Sequence, residues 1–190
     1  DIRSQFYASS EWTFGYPAAT GIGTQHGGIL VDFNAVKGGI EIIPLDNDWQ
    51  KAAHVYSDEV LISHRTDAEK GTPKFERGKS LSDHQCEMIY ISGTAAIRGE
   101  ESIVTGDVLV QTEITLENIQ HLIGLEEGRE KLPEHSGKLE LLRVYLKHEE
   151  DAKIVKEDMD KLCPDVPIVY LYADVCREEL LVEIEGIAYL

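Results

Sequence analysis

Two glutamates near the end of the chain, Glu183 and Glu185, stand two residues apart in the run Leu180-Leu-Val-Glu-Ile-Glu-Gly-Ile187. In a strand, residues i and i+2 project from the same side. Their Cα atoms would then lie about 6.5 Å apart, at roughly 3.3 Å of rise per residue. Two carboxylates that close raise the proton affinity of at least one of them, and burial raises it further. A carboxyl that keeps its proton near neutral pH is suited to general-acid work. A solvated sheet face would give the same spacing. Arg143, Tyr145 and Lys147 also alternate, with Leu142, Val144 and Leu146 opposite. Arginine suits bidentate binding of a carboxylate, although a solvated outer face is again the plain alternative. Cys176 comes seven residues before Glu183. A strand-turn-strand would bring it near that carboxyl, and a buried structural thiol is the commoner case. Tyr56 and Tyr170 offer hydroxyls to a ligand or rings to packing.

Other chemistries find no support. Gly21-x-Gly23 lacks the preceding strand and the third glycine of a dinucleotide site. His148-Glu149 has no cysteine pair nearby, so a zinc deaminase site is not indicated. The seven histidines show no metal-ligand spacing, and there is no nucleophile elbow. Cys86, Cys163 and Cys176 are widely spaced and odd in number, which points to neither a disulfide framework nor zinc and fits a reducing cytoplasm. No metal or cofactor is implied. Asp and Glu number 35 against 18 Lys and Arg, a formal net charge of −17. Such a surface repels phosphate backbones, so no nucleic-acid partner is expected. A cation cluster for an anionic ligand would have to work against the global field. No apolar run approaches the ~20 residues needed to span a bilayer, and no signal peptide is visible, so no membrane partner is expected either.

The elements that would position these residues can be read along the chain. At 190 residues and 42% hydrophobic, it is long enough for one large or two small domains. The first third is strand-like, with a hairpin tip expected at Gln25-His-Gly-Gly28 and a strand over Ile29-Leu-Val-Asp-Phe-Asn-Ala-Val36. Residues 46–71 read as a polar connector. Glu87 to Ser92 is a short apolar strand. Asp107 to Ile123 carries apolar residues at helical spacing, with Asp107 as N-cap and Gly124 as stop. Leu139 to Lys147 is a strand, and Glu149 to Leu162 a second helix with three acids in its first turn. Val166 to Ala173 and Leu180 to Ala188 are the last strands. Two helices on one face of a mixed sheet make an α+β sandwich. Pro17-Ala-Ala-Thr20 followed by Ile29 to Val36 echoes Pro167-Ile-Val-Tyr170 followed by Leu180 to Ile187. A true repeat would make residues 1–45 the tail of a preceding, similar domain.

Several short stretches together resemble one family. Ile89-Tyr-Ile-Ser-Gly-Thr-Ala-Ala96, Gly106-Asp107, Gln111-Thr112, Leu116-Glu-Asn118, Val144-Tyr-Leu-Lys147 and Val182-Glu-Ile-Glu-Gly-Ile-Ala188 follow the order of YjgF/RidA proteins over roughly residues 72–190. Pro73-Lys-Phe-Glu-Arg77, Ile91 to Ser102 and Asp174 to Gly186 are more narrowly similar to the catalytic, C-terminal part of chorismatases, the chorismate-hydrolysing relatives of that family. The resemblance implies a YjgF/RidA-like (chorismate-mutase-like) fold preceded by a strand-rich remnant of a second such domain. It implies cleavage of the enolpyruvyl ether of chorismate to pyruvate and a dihydroxycyclohexadiene- or hydroxybenzoate-type product. Glu183 matches the acting glutamate, with Glu185 in support. A cysteine near position 176 and a small residue at Ala95 distinguish chorismatase subtypes. Arg77 and Arg65 are the candidate carboxylate ligands of the matching segments, beside Arg143 and Lys147. The resemblance also implies a homotrimer, or a pseudo-trimer of tandem domains, with sites at interfaces. YjgF/RidA deaminases place an arginine just after the proline that opens the penultimate strand. Here Pro167 is followed by Ile168, Val169 and Tyr170, which points away from imine or enamine deamination. A deaminase and a non-catalytic small-acid-binding module remain the competing readings.

Overall fold

The computed structural model describes residues 5–7, 15–25, 27–61, 71–83, 86–124 and 138–190. Their centre is a six-stranded mixed sheet. In chain order the strands are β1 (Glu41–Leu45), β2 (Gly78–Ser82), β3 (Glu87–Thr94), the small pair β4 (Ile97–Arg98) and β5 (Glu101–Ser102), β6 (Lys138–Leu146), β7 (Ile168–Tyr172) and β8 (Val182–Tyr189). The six-stranded order is β1-β2-β3-β8-β6-β7. Only β6 and β7 run parallel. A parallel pair needs a crossover, and helix α2 (Ala152–Leu162) supplies it.

Helix α1 (Val108–Ile123) forms as its sequence predicts. The Asp107 carboxylate accepts from the amides of Leu109 at 2.9 Å and Val110 at 3.4 Å, which satisfies two of the orphan donors of the first turn. Gly124, at φ 78°, ends the helix in the left-handed conformation that costs glycine least. The second helix differs slightly from expectation. Its three acids, Glu149 to Asp151, form a 3₁₀ turn ahead of α2. Val155 and Met159 are its buried residues, while Leu162 is exposed.

Both helices cover one face of the sheet. Leu142, Val144 and Leu146 of β6 and Val182 and Ile184 of β8 are fully buried there against Leu116, Ile119, Val155 and Met159. The opposite, outer face carries the alternate residues. The register pairs Arg143 with Glu185 and Tyr145 with Glu183 across β6 and β8.

Two stretches depart from the sequence reading. Ile29 to Val36 forms no strand: Ile29, Leu30 and Phe33 are 93%, 88% and 78% exposed. The alternation is present, but no neighbouring strand among the described residues supplies a ladder, and a strand without one has no backbone partners. Conversely, the polar stretch Gly78–Ser82 and the proline-containing Glu41–Leu45 are strands of the sheet. Pro44 is tolerated because β1 is an edge strand.

Candidate active site

Glu183 lies on the outer sheet face yet is only 6% exposed. A bulge in β3 between Ile91 and Thr94 brings Gly93 against it. A side-chain carbon on Gly93 would sit 2.1 Å from Glu183 Oε1, so this close approach requires glycine. Burial, and next the neighbouring Glu185, push the Glu183 carboxyl up to about 7, against the opposing charge of Arg77. Glu185 is held differently. Its Oε1 accepts from Arg143 Nη1 and from the Tyr145 hydroxyl, both at 2.7 Å. Arg143 and Tyr145 therefore hold the Glu185 carboxyl in place beside the protonatable Glu183. Burial and then the hydrogen bond to Glu185 raise Tyr145 far above neutral pH, so its phenol stays a donor.

Arg77 is 3% exposed. Its Nη2 donates to the Lys51 carbonyl at 2.6 Å and to the Tyr56 hydroxyl, while its Nε, buried, has no hydrogen-bond partner. A second guanidinium, Arg177, is 9% exposed and donates through Nη1 to the Glu100 carbonyl and to Ser102 Oγ, each at 2.9 Å. Both guanidinium carbons lie 5.5 Å from the centroid of the Tyr56 ring. Among the described residues neither arginine has a carboxylate within ion-pair distance. In a chain of net charge −17 this is unusual: the hydrogen bonds of both cations go to neutral acceptors and both stand against an aromatic ring, while Arg77 acts on Glu183 and Arg177 on Glu179 through charge at longer range.

The loops that carry these groups are clamped by α1. Gln111 Nε2 donates to the Glu179 carbonyl at 2.9 Å and its Oε1 accepts from Leu181 N at 2.8 Å. Asn118 Nδ2 donates to the carbonyls of Ala95 at 3.0 Å and Ile97 at 3.1 Å. Both amide side chains are fully buried. One helix thus fixes the loop after β3 and the loop before β8, which flank Glu183.

The structure brings together Glu183, Glu185, Arg143, Cys176, Arg77 and Tyr56. Cys176 is an exposed residue, but the protein packed around its thiol and the charge of Glu183 raise it well above neutral pH, so it is a thiol and not a thiolate. Lys147 continues the outer face of β6, where its Nζ donates to the Glu178 carbonyl at 2.8 Å. Ala95 is buried behind the site with Val175 and Leu180. Tyr170 is not brought to the site. It pairs in register with Val144, on the helix-covered face, and its hydroxyl is buried near Cys163 and Asp160. Arg65 lies outside the described residues. Arg177, Gly93 and Thr20 were not singled out from sequence. Arg177 follows Cys176 directly and Gly93 sits in the quoted Ser-Gly-Thr turn; Thr20 carries no local signal at all.

Arg177 and Glu179 also line a pocket of about 310 Å³ with Glu59, Leu61 and Glu101. Glu183 does not line it, and three carboxylates on its wall would repel an anion. The candidate site is therefore centred on Glu183 and not on this pocket. Among the described residues there is no group of three potential metal ligands and no helix long and apolar enough to cross a membrane.

No known protein-family profile matches the chain. Its architecture nevertheless has solved counterparts. An L-PSP endoribonuclease-type protein from Entamoeba histolytica superposes with a TM-score of 0.52 at 12% identity, covering 79% of this chain and 100% of that one. The yeast protein YEO7 does so at 0.51 and 10% identity, covering 78% and 98%. These likenesses speak to the fold alone: the chain has the α+β YjgF/RidA-like fold, with a six-stranded mixed sheet and two helices.

The sequence relatives are narrower. The chorismatase of Streptomyces rapamycinicus is 35% identical over 179 residues, and the 3-hydroxybenzoate synthase of Streptomyces hygroscopicus 33% identical over 185; each match covers 90% of this chain and 50% of the relative. A crystal structure of a chorismatase superposes with a TM-score of 0.67 at 28% identity, over 90% of this chain and 50% of that one. The chain is thus a distant homologue of chorismatases, and it spans about half the length of the curated relatives it matches.

Proposed function

We propose that this chain carries the catalytic half of a chorismatase-like enzyme, which cleaves the enolpyruvyl ether of chorismate to pyruvate and a dihydroxycyclohexadiene- or hydroxybenzoate-type product. One observation carries the reading: a buried carboxyl that holds its proton to about pH 7 stands within reach of the charge of Arg77, a buried cation with no carboxylate partner among the described residues. An enol ether is cleaved by acid, and chorismate carries two carboxylates.

In this reading Arg77 takes a carboxylate, with the Tyr56 ring against its guanidinium group. Glu183 gives its proton to the vinyl methylene, which becomes a methyl. Positive charge develops on the ether carbon and spreads to the ether oxygen. The Glu183 carboxylate left behind and the fixed Glu185 anion stabilise that charge. Water adds to the carbon, and its proton returns to Glu183. The hemiketal then breaks its bond to the ring oxygen, which leaves as a hydroxyl while pyruvate departs. One water is consumed and the acid is regenerated. Where water is kept out, the ring C–O bond of the protonated side chain breaks with its electron pair on the oxygen, pyruvate leaves, and the ring gives up one proton, restoring the one Glu183 spent, to become a hydroxybenzoate; Cys176 and Ala95 are the residues we assign to that choice. Lys147 adds positive charge at the carboxyl end of β6.

Residues 1–45 are read as the tail of a preceding YjgF-like domain whose last segment, β1 (Glu41–Leu45), joins the edge of the catalytic sheet, 46–71 as a connector and 72–190 as the catalytic domain. The echo between Pro17–Val36 and Pro167–Ile187 supports this, as do the exposed apolar side chains of Ile29 to Phe33. A homotrimer or tandem pseudo-trimer would cover them.

The test is incubation of the full chain with chorismate and enzymatic assay of pyruvate. Release that disappears in Glu183→Gln supports the reading. A folded protein that is stabilised by chorismate in thermal-shift experiments but releases no pyruvate is instead a binding module. Hydrolysis of iminopyruvate without action on chorismate would favour the deaminase.

A further inference from the structure

The wall that dries Glu183 is built in part by residues more than 160 positions away in sequence. Gly15 to Gly23 runs as an extended strap across the ends of β2 and β3. Its hydrogen bonds are regular. Tyr16 N donates to Glu76 Oε1 at 2.9 Å, Glu76 N to the Pro17 carbonyl at 3.0 Å and Ala19 N to Ser92 Oγ at 3.0 Å. Lys79 Nζ donates to the Tyr16 carbonyl. At the far end Gly23 and Asp174 exchange amide and carbonyl at 2.9 and 3.2 Å. Between these clips lies Thr20. Its Oγ1 accepts from Gly93 N at 2.9 Å. Its methyl lies 2.7 Å from the point that a Gly93 side-chain carbon would occupy, and Glu183 Oε1 lies 2.1 Å from the same point. The hydroxyl thus holds the Gly93 amide while the methyl closes on the carboxyl.

We propose that Thr20 is a positioning residue for Glu183, pinning the strap to Gly93 so that water is kept from the acid. The proposal rests on the reading of Glu183 as the proton donor. The strap contains no Asp, Glu, Lys, Arg or His between Gly15 and Gly23, so its effect on the carboxyl comes through exclusion of water and not through charge. The charged and titratable groups facing Glu183 come from elsewhere. Glu185 lies on its own strand, Tyr145 on β6, Arg77 ahead of β2 and Cys176 in the loop before β8. None of them belongs to the strap, so loosening Thr20 changes the hydration of Glu183 and leaves its charged neighbours in place.

The test uses the full chain and reads the proton directly. The carbonyl stretch of protonated Glu183 is followed by infrared difference titration, with Glu183→Gln identifying the band. Thr20→Val keeps the shape and removes the acceptor; Thr20→Ser keeps the acceptor and removes the methyl. We expect faster hydrogen exchange at Gly93 N in Thr20→Val and a titration midpoint at least one pH unit lower. In Thr20→Ser the Gly93 amide stays protected and the midpoint falls by a smaller step. An unchanged midpoint in whichever of the two variants folds overturns the proposal. Faster Gly93 exchange with an unmoved midpoint does so as well, since it would show a merely structural contact. The outcome is separable from the functional reading: chorismate turnover with an unmoved midpoint removes Thr20 alone, and a moved midpoint without any turnover removes the chorismatase reading alone.

Discussion

Removing the acid should make the protein more stable, and more so as the pH rises. Glu183 holds its proton to about 7 in the folded chain, against an ordinary value of 4.5. Between these values the native state keeps a proton that the unfolded chain has lost. Stability then falls as pH rises through the window, because the native state binds more protons than the unfolded one. Below the window both states are protonated and nothing is lost. Above it the full penalty applies, about 3 kcal/mol at 1.36 kcal/mol per unit. Glu183→Gln keeps the shape and has no proton to lose. Urea unfolding of parent and variant, followed by tryptophan fluorescence, to which Trp49 stacked on His121 at 4.1 Å contributes beside Trp12, measures both stabilities. Groups that do not feel Glu183 cancel in the variant-minus-parent difference, and Cys176 and Tyr145, which do feel it, are raised above this pH window in the folded chain. That difference should grow in favour of the glutamine by about 2 to 3 kcal/mol between pH 5 and pH 8. A flat difference would show that Glu183 titrates normally and is hydrated. A difference shrinking with pH would mean that Arg77 outweighs burial and that the carboxyl is an anion at work. Either result removes the physical ground for a proton donor at this position.

Gly93→Ala should abolish pyruvate release and lower stability by about 1–3 kcal/mol, measured by urea unfolding, because its methyl would fall 2.1 Å from Glu183 Oε1. Arg77→Met should raise the midpoint of the Glu183 infrared titration above its parent value, since Arg77 is the charge that holds it down; a lowered midpoint would contradict the assignment. The Cys176 thiol is raised first by its packing and next by Glu183. Iodoacetamide should therefore label Cys176 faster at pH 8 in Glu183→Gln than in the parent, read by peptide mass spectrometry, and equal rates would separate the two side chains.

The elements that could be read from sequence are those whose signals are local. Helix α1 announces itself through its apolar spacing, the carboxylate cap of Asp107 and the left-handed Gly124. Strands β6 and β8 do so through strict alternation, which also put Arg143, Tyr145, Glu183 and Glu185 on one face. Strands β1 and β2 were missed because their pattern is not local. Gly78-Lys-Ser-Leu-Ser82 looks polar, yet Gly78 and Ser80 face the helices and Lys79 the strap. For Ile29 to Val36 the opposite holds: the alternation is clear, but alternation specifies a strand only when a neighbour exists to pair with it. Tyr170 shows the limit of strand reasoning at single-residue precision. Its strand was foreseen, but only the parallel register with β6 decides that it stands beside Val144 and away from Glu183.

The two glutamates show why a site is harder to read than a fold. From sequence they are equivalent: same residue type, same strand, same face. The structure makes them opposites. Glu185 receives two donors, one of them a guanidinium. Glu183 receives burial, a repelling neighbour and the smaller, opposing charge of Arg77, and holds its proton. What separates them is supplied by Arg143 and Tyr145 on the adjacent strand, by Gly93 at a bulge and by Thr20 on a strap more than 160 residues away. Alternation can place a pair of carboxylates on one face. Which of the pair becomes the acid is decided by contacts that no spacing records, and here the fixed charge of one glutamate is itself part of what keeps the other protonated.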